Sequence, residues 1–189
     1  MENSEWIKNE KIEIRDKSFD FINFSKLKAL KNPNDYDFDT ELLFENCSFN
    51  DVIFTCLLIG RKISFKNCRI ENLSCVGTYF FGGFEMHNCH VLYSTSFESG
   101  VHNKSPNIFE ITKCTFGGYV DFFDVYFKGP VRITNNTFKG SSNLEVYLKH
   151  PFGIEQGMSL TIENNTGNLK RVLDSDPIHG TNINSKKHK

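Results

Sequence analysis

The chain has 189 residues, 39% of them apolar, and its 22 basic and 23 acidic side chains leave a net charge of -1. That length suits one domain with a sizeable core, and the charge balance excludes a strong pull toward nucleic acid or an anionic membrane. No apolar run approaches the roughly 18 residues needed to cross a bilayer, and paired metal-binding cysteines and Gly-rich phosphate loops are absent.

The N-terminal stretch MENSEWIKNEKIEIRDK is polar throughout, so no secretory leader is expected. The six cysteines are then expected as thiols in a reducing, cytoplasmic setting. Residues 1–13, with Trp6 and Ile7, are read as an N-terminal cover over an apolar edge. From Ile14 a degenerate repeat follows: IRDKSF, then FENCSF from Phe44, FKNCRI from Phe65, MHNCHV from Met86, ITKCTF from Ile111, ITNNTF from Ile133 and IENNTG from Ile162. The copies are 30, 21, 21, 25, 22 and 29 residues apart, which is a core of 21 with insertions.

A finer beat of five runs inside the copies: Phe44, Phe49, Phe54 and Ile59; Phe65, Ile70, Cys75 and Phe80; then Met86, Val91, Ser96 and Val101. Neither a helix nor a two-residue alternation has that period, whereas short straight runs separated by corners do. The pattern predicts an all-β fold, a right-handed parallel β-helix (a solenoid) of about seven coils over residues 14–166, with short terminal caps. Segments 25–40, 98–108 and 147–160 are read as surface loops. Residues 167–189 are read as a C-terminal cap and basic tail, with Asn168 ahead of Leu169, Val172 and Leu173 at helical spacing.

Stacked coils hold equivalent residues about 4.8 Å apart. Cys47, Cys68, Cys89 and Cys114 are expected as an inward ladder of small, polarizable groups. Asn46, Asn67, Asn88, Asn135 and Asn164 are expected at the preceding bend, because asparagine tolerates left-handed backbone and bonds its own turn. Parallel Cβ vectors in such a ladder leave the Cβ atoms too far apart for disulfides. The thiols are therefore structural, with no metal and no cofactor expected.

The steps CSF at 47–49 and CTF at 114–116, with CRI at 68–70 and CHV at 89–91 as variants, resemble the pentapeptide-repeat proteins. In that family an inward Phe or Leu follows a small residue by two positions. Asp or Asn usually precedes the inward Phe, where this chain has Ser48, Arg69, His90 and Thr115. The resemblance implies a rigid rod that acts by binding. Some family members imitate DNA with a strongly negative surface, which a net charge of -1 does not supply.

Candidate surface residues follow from the alternation. His87 and His90 flank the inward Cys89 and should point outward, level with Lys66 and Arg69 on one side and Thr112 and Thr115 on the other. In TYFFGGF (78–84) and YVDFFDVYF (119–127), Phe80 and Tyr126 are expected to face in, leaving Phe81, Phe123 and Phe127 for the surface beside Asp121 and Asp124. Outward aromatics on a flat ladder suit a protein interface or a sugar-stacking platform. The expected function is a non-enzymatic protein-recognition module of scaffold, inhibitor or immunity type. The alternative is a carbohydrate-binding or carbohydrate-active β-helix protein that uses Asp121, Asp124 and the aromatics. The partner expected is another protein, or else a glycan, with no nucleic acid and no membrane; a homodimer is compatible with the pattern.

Overall fold

The computed structural model describes residues 11–27, 36–148 and 153–171. Regular structure there is almost all parallel strand, broken by a 3-10 turn at Phe24–Leu27 and a short helix at Leu144–Leu148. Strands far apart in sequence pair one repeat at a time, so the sheets are stacks of equivalent segments. The architecture is all-β and β-helix-like, and none of the three sheets closes on itself.

The first face stacks Lys11–Arg15, Glu41–Glu45, Ile63–Lys66, Phe84–His87, Phe109–Thr112, Val131–Thr134 and Leu160–Glu163. Its register aligns Ile14, Phe44, Phe65, Met86, Ile111, Ile133 and Ile162, the same residues that frame the repeat in the sequence. The first strand among the described residues is Lys11–Arg15, so residues 11–13 of the expected N-terminal cover are part of the sheet, and residues 1–10 fall outside the described residues. Trp6, Ile7, Val172 and Leu173 fall outside the described residues. The third face stacks Leu58–Ile59, Tyr79–Phe80, Val101–Lys104 and Tyr126–Lys128, so part of the expected 98–108 loop is strand.

Between these faces runs a second sheet whose character changes along the stack. Ser18–Asn23, Ser48–Ile53 and Arg69–Ser74 are continuous six-residue strands. The next repeats divide the same stretch into two short strands, His90–Val91 with Thr95–Ser96, and Thr115–Phe116 with Val120–Asp121. The division follows the spacing of inward residues. Phe49 to Phe54 and Ile70 to Cys75 are five apart, whereas Val91 to Phe97 and Phe116 to Phe122 are six apart, and all eight are buried. One extra residue at the bend breaks the strand and shifts the inward phase by one. Ser96, expected inside, is therefore replaced in the core by Phe97. Phe127, expected outside, is fully buried, while Tyr126 takes the outer position.

The interior is filled by ring ladders. Phe24 stacks on Phe54 at 4.2 Å, Phe44 on Phe65 at 5.2 Å, Phe84 on Phe109 at 5.4 Å and Phe97 on Phe122 at 5.2 Å. Rings from adjacent faces meet edge-on, as Phe44 meets Phe49 at 89°. Offset and edge-to-face contacts each add about 0.5–1.5 kcal/mol beyond area burial, which suits a core that buries Phe24, Phe44, Phe54, Phe65, Phe84, Phe97, Phe109 and Phe122 among its phenylalanines.

The bend after the first face is left-handed in every repeat. Asp16, Asn46, Asn67, Asn88, Lys113, Asn135 and Asn164 have φ between 53° and 58°. The exposed asparagine amides bond along the stack: Asn88 Nδ2 donates to Asn67 Oδ1 at 2.8 Å, Asn67 to Asn46 at 3.2 Å, and Asn46 to Asp16 at 3.1 Å. The next residue turns inward as Cys47, Cys68, Cys89 and Cys114, all buried and unpaired. Leu169 is buried against the far end of the core.

Candidate functional site

The candidate surface residues lie in three separate places and form no single site. His87 and His90 stand in the outward columns expected of them, Lys66–His87–Thr112 and Arg69–His90–Thr115. His87 Nδ1 lies 2.9 Å from Thr112 Oγ1. Asp121 and Asp124 sit on another bend. Asp121 Oδ1 accepts from the Phe123 amide at 2.8 Å and from Asn143 Nδ2 at 2.7 Å, which makes it a turn-forming carboxylate. Asp124 occupies a left-handed bend position with φ 51° and accepts from Ser99 Oγ at 3.4 Å. Phe123 is half-buried, edge-on to Tyr147 at 5.3 Å. Of the three candidate aromatics only Phe81 belongs to a larger outer cluster.

That cluster lies on the third face. Tyr79 stacks on His102 at 3.9 Å and 15°, and His102 meets Tyr126 edge-on at 5.5 Å. Phe81 lies 5.8 Å from both Tyr79 and Tyr36, with Lys104 Nζ 4.2 Å above its ring. Lys128 Nζ lies 5.4 Å from the Tyr126 centroid. All of the rings are half-buried.

His102 reaches the strip through a bulge. Val101 pairs with both Tyr79 and Tyr126, and the register then shifts before Lys104. Val101 has φ 76° and His102 has φ 42°. A β-branched residue at positive φ is a rare outlier, and each such residue costs on the order of 1–3 kcal/mol. The distortion keeps Val101 in the core while placing the imidazole between two tyrosines. Burial, and after it the Lys128 cation, lowers the His102 pKa below the ordinary histidine value, with Asp124 opposing. The ring is thus held neutral and stacked near neutral pH.

Tyr79, His102 and Tyr126 escape a reading of the sequence because they are not in step: His102 follows Tyr79 by 23 residues and precedes Tyr126 by 24. The available signal is the aromatic pair Tyr79 and Tyr126, each beside an inward Phe, at Phe80 and Phe127.

The first face carries a shallow depression of about 320 Å3 lined by Lys66, Glu85, Met86, His87, Glu110 and Thr112. Its carboxylates are engaged: Glu85 with Lys62 at 3.2 Å and Ser64 at 3.3 Å, Glu110 with Arg132 at 3.4 Å. Among the described residues no group of three or more His, Cys, Asp and Glu is placed to hold a metal ion, and no helix is long and apolar enough to cross a membrane. The chain matches no protein-family model, no curated protein and no solved structure.

Proposed function

We propose that the protein is a right-handed parallel β-helix of about seven coils, pentapeptide-repeat-like in its core, that works as a non-enzymatic protein-recognition module. Right-handedness rests on the rule that parallel crossovers within a sheet are right-handed in nearly all cases. The pentapeptide likeness rests on the buried pairs Cys47 with Phe49, Cys68 with Ile70, Cys89 with Val91 and Cys114 with Phe116. A cytoplasmic setting fits five buried free thiols.

The observation that carries the recognition reading is the strip of Tyr79, His102 and Tyr126 with Phe81 beside it. Its position is set by a bulge with positive φ at Val101 and His102, which holds Val101 in the core and the imidazole between the two tyrosines. The strip favours a protein over a sugar. A pyranose stacks on an open ring face, but here Tyr79 and His102 cover one another, Lys104 lies over Phe81, and Lys128 lies over Tyr126. Ring edges, hydroxyls and ammonium groups remain on display, a mixture that protein interfaces favour. Such a module would serve as a scaffold, an inhibitor or an immunity-type binding protein.

The test is capture of partners from the source lysate with the wild-type chain and with Phe81→Ser/His102→Ser. One near-stoichiometric protein held by the wild type and lost by the variant, with melting preserved, supports the reading. A protein retained equally by the variant, or a glycan-array signal without any protein partner, overturns it.

A further inference from the structure

Charge on this molecule is segregated in a way that the net value hides. Among the described residues most cations have partners: Lys11, Arg15, Arg61, Lys62, Arg132 and Lys170 face carboxylates, while Lys26, Lys104 and Lys128 lie over rings. Lys17, Lys66, Arg69, Lys113, Lys139 and Arg171 face neither a carboxylate nor a ring, and of these Lys66, Arg69 and Lys113 are exposed together on one bend, between the first face and the second. Lys66 and Arg69 flank the bend of one repeat, His87 and His90 flank it in the next, and Lys113 occupies the bend of the third. Most of the neighbouring carboxylates are engaged by other cations. Glu45 pairs with Arg15, Glu85 with Lys62 and Glu110 with Arg132, and Glu71 forms no ion pair with Arg69.

Lys113 is the least expected of these residues. It interrupts a run of asparagines at a left-handed position, where a long side chain has no local bond to offer in return. Above Asn88 it ends the amide ladder and adds a cation at the level where another amide would have continued the chain. Like charges clustered without partners repel, and an anion laid across them relieves that repulsion.

We propose that the bend formed by Lys66, Arg69 and Lys113, with Asn67, His87 and His90 between them, docks an acidic polypeptide segment. The ridge is narrow and runs along the stack, with Lys66 and Lys113 two repeats apart, about 10 Å at strand spacing. An extended chain with carboxylates on one edge matches that layout, and Arg69 can take one of them through its planar fork. Single-stranded nucleic acid and pyranose rings need aromatic platforms. The columns on either side of this bend contain no Phe, Tyr or Trp. The proposal does not depend on the third-face strip, which lies on another side of the molecule.

The probe is a fluorescein-labelled oligoglutamate peptide, titrated by anisotropy against the full chain at low ionic strength. Binding is expected, falling steeply with added salt. The triple variant Lys66→Gln/Arg69→Gln/Lys113→Gln should weaken it by about tenfold or more. Arg69→Gln alone, at an exposed strand start, should weaken it measurably without touching the fold. Lys139→Gln, which removes an unpartnered cation elsewhere, should leave it unchanged. Absence of binding, equal binding by the two ridge variants, an equal loss with Lys139→Gln, or tighter binding of oligothymidylate or a sulfated oligosaccharide would each overturn the proposal.

Discussion

A thiol and a primary amide perform the same task in the column behind the left-handed bend. Cys89 Sγ accepts the Cys68 amide at 3.4 Å and donates to the Phe65 carbonyl at 3.4 Å. Asn136 Oδ1 accepts the Cys114 amide at 2.8 Å, and its Nδ2 donates to the Ile111 carbonyl at 2.9 Å. Asn165 repeats the pattern, accepting from the Asn136 amide at 3.0 Å and donating to the Ile133 carbonyl at 2.7 Å. Each side chain thus joins two backbone groups that the bend removes from the sheet ladders. Cys89 does this as a neutral donor: the hydrogen bond with Cys114, more than burial, pushes its pKa up to about 12. Burial alone raises that of Cys75. Asn136→Leu should leave a buried amide and a buried carbonyl unmatched and lower the unfolding free energy by roughly 2–4 kcal/mol. Asn136→Cys, which restores an acceptor and a donor, should cost clearly less in the same denaturant titration. Equal losses for the two variants would show that volume, and not bonding, sets the column.

At the scale of the strand, the controlling variable is one residue more or less at a bend. Where an extra residue enters, neighbouring repeats approach through glycine. A Cβ on Gly118 would lie 1.6 Å from the Tyr93 carbonyl oxygen, and one on Gly140 would lie 2.2 Å from the Gly118 carbonyl carbon. No side-chain rotation relieves a clash with backbone. Gly118→Ala should therefore cost at least about 3 kcal/mol and lower the melting temperature sharply; a melt like that of the parent would mean the bends are looser than described.

The same variable explains what could be read from the sequence. The five-residue beat was legible because Phe44, Phe49, Phe54 and Ile59 recur without interruption, and the asparagines marked the bend because few other residues accept that backbone. Phe127 and Ser96 depart from the expected facing because a side chain's phase depends on every insertion before it. Nothing local in Gly117–Gly118 says whether those residues lengthen a strand or a bend. Asn136 and Asn165 do not stand out in the sequence as cysteine equivalents because their likeness lies in donors and acceptors and not in hydrophobicity. The third-face strip is half legible in the sequence: Phe81 follows the inward Phe80 and so faces out, but the bulge that brings in His102 is a product of tertiary register.

For the molecule as a whole, its two proposed contact regions lie on different sides of a stack held together by bonds between adjacent repeats. Those hydrogen bonds run along the stacking direction, and each strand is paired only with those of the repeats before and after; among the described residues the Tyr119 hydroxyl, which donates to the Arg171 carbonyl two repeats on, is an exception near one end. Stability in such an array is close to a sum of nearest-neighbour terms. Tension applied to the two chain ends is expected to load one terminal repeat at a time, and the stack of strands should yield by peeling and not by shearing as a block. In single-molecule pulling, each event in the 21-residue repeats between Cys47 and Cys89 should release about 70 Å of contour length. One rupture spanning the whole length would mean that the repeats are mechanically fused. Peeling would make the protein a graded extensible element, able to give up its ends under load while the middle repeats still hold a partner.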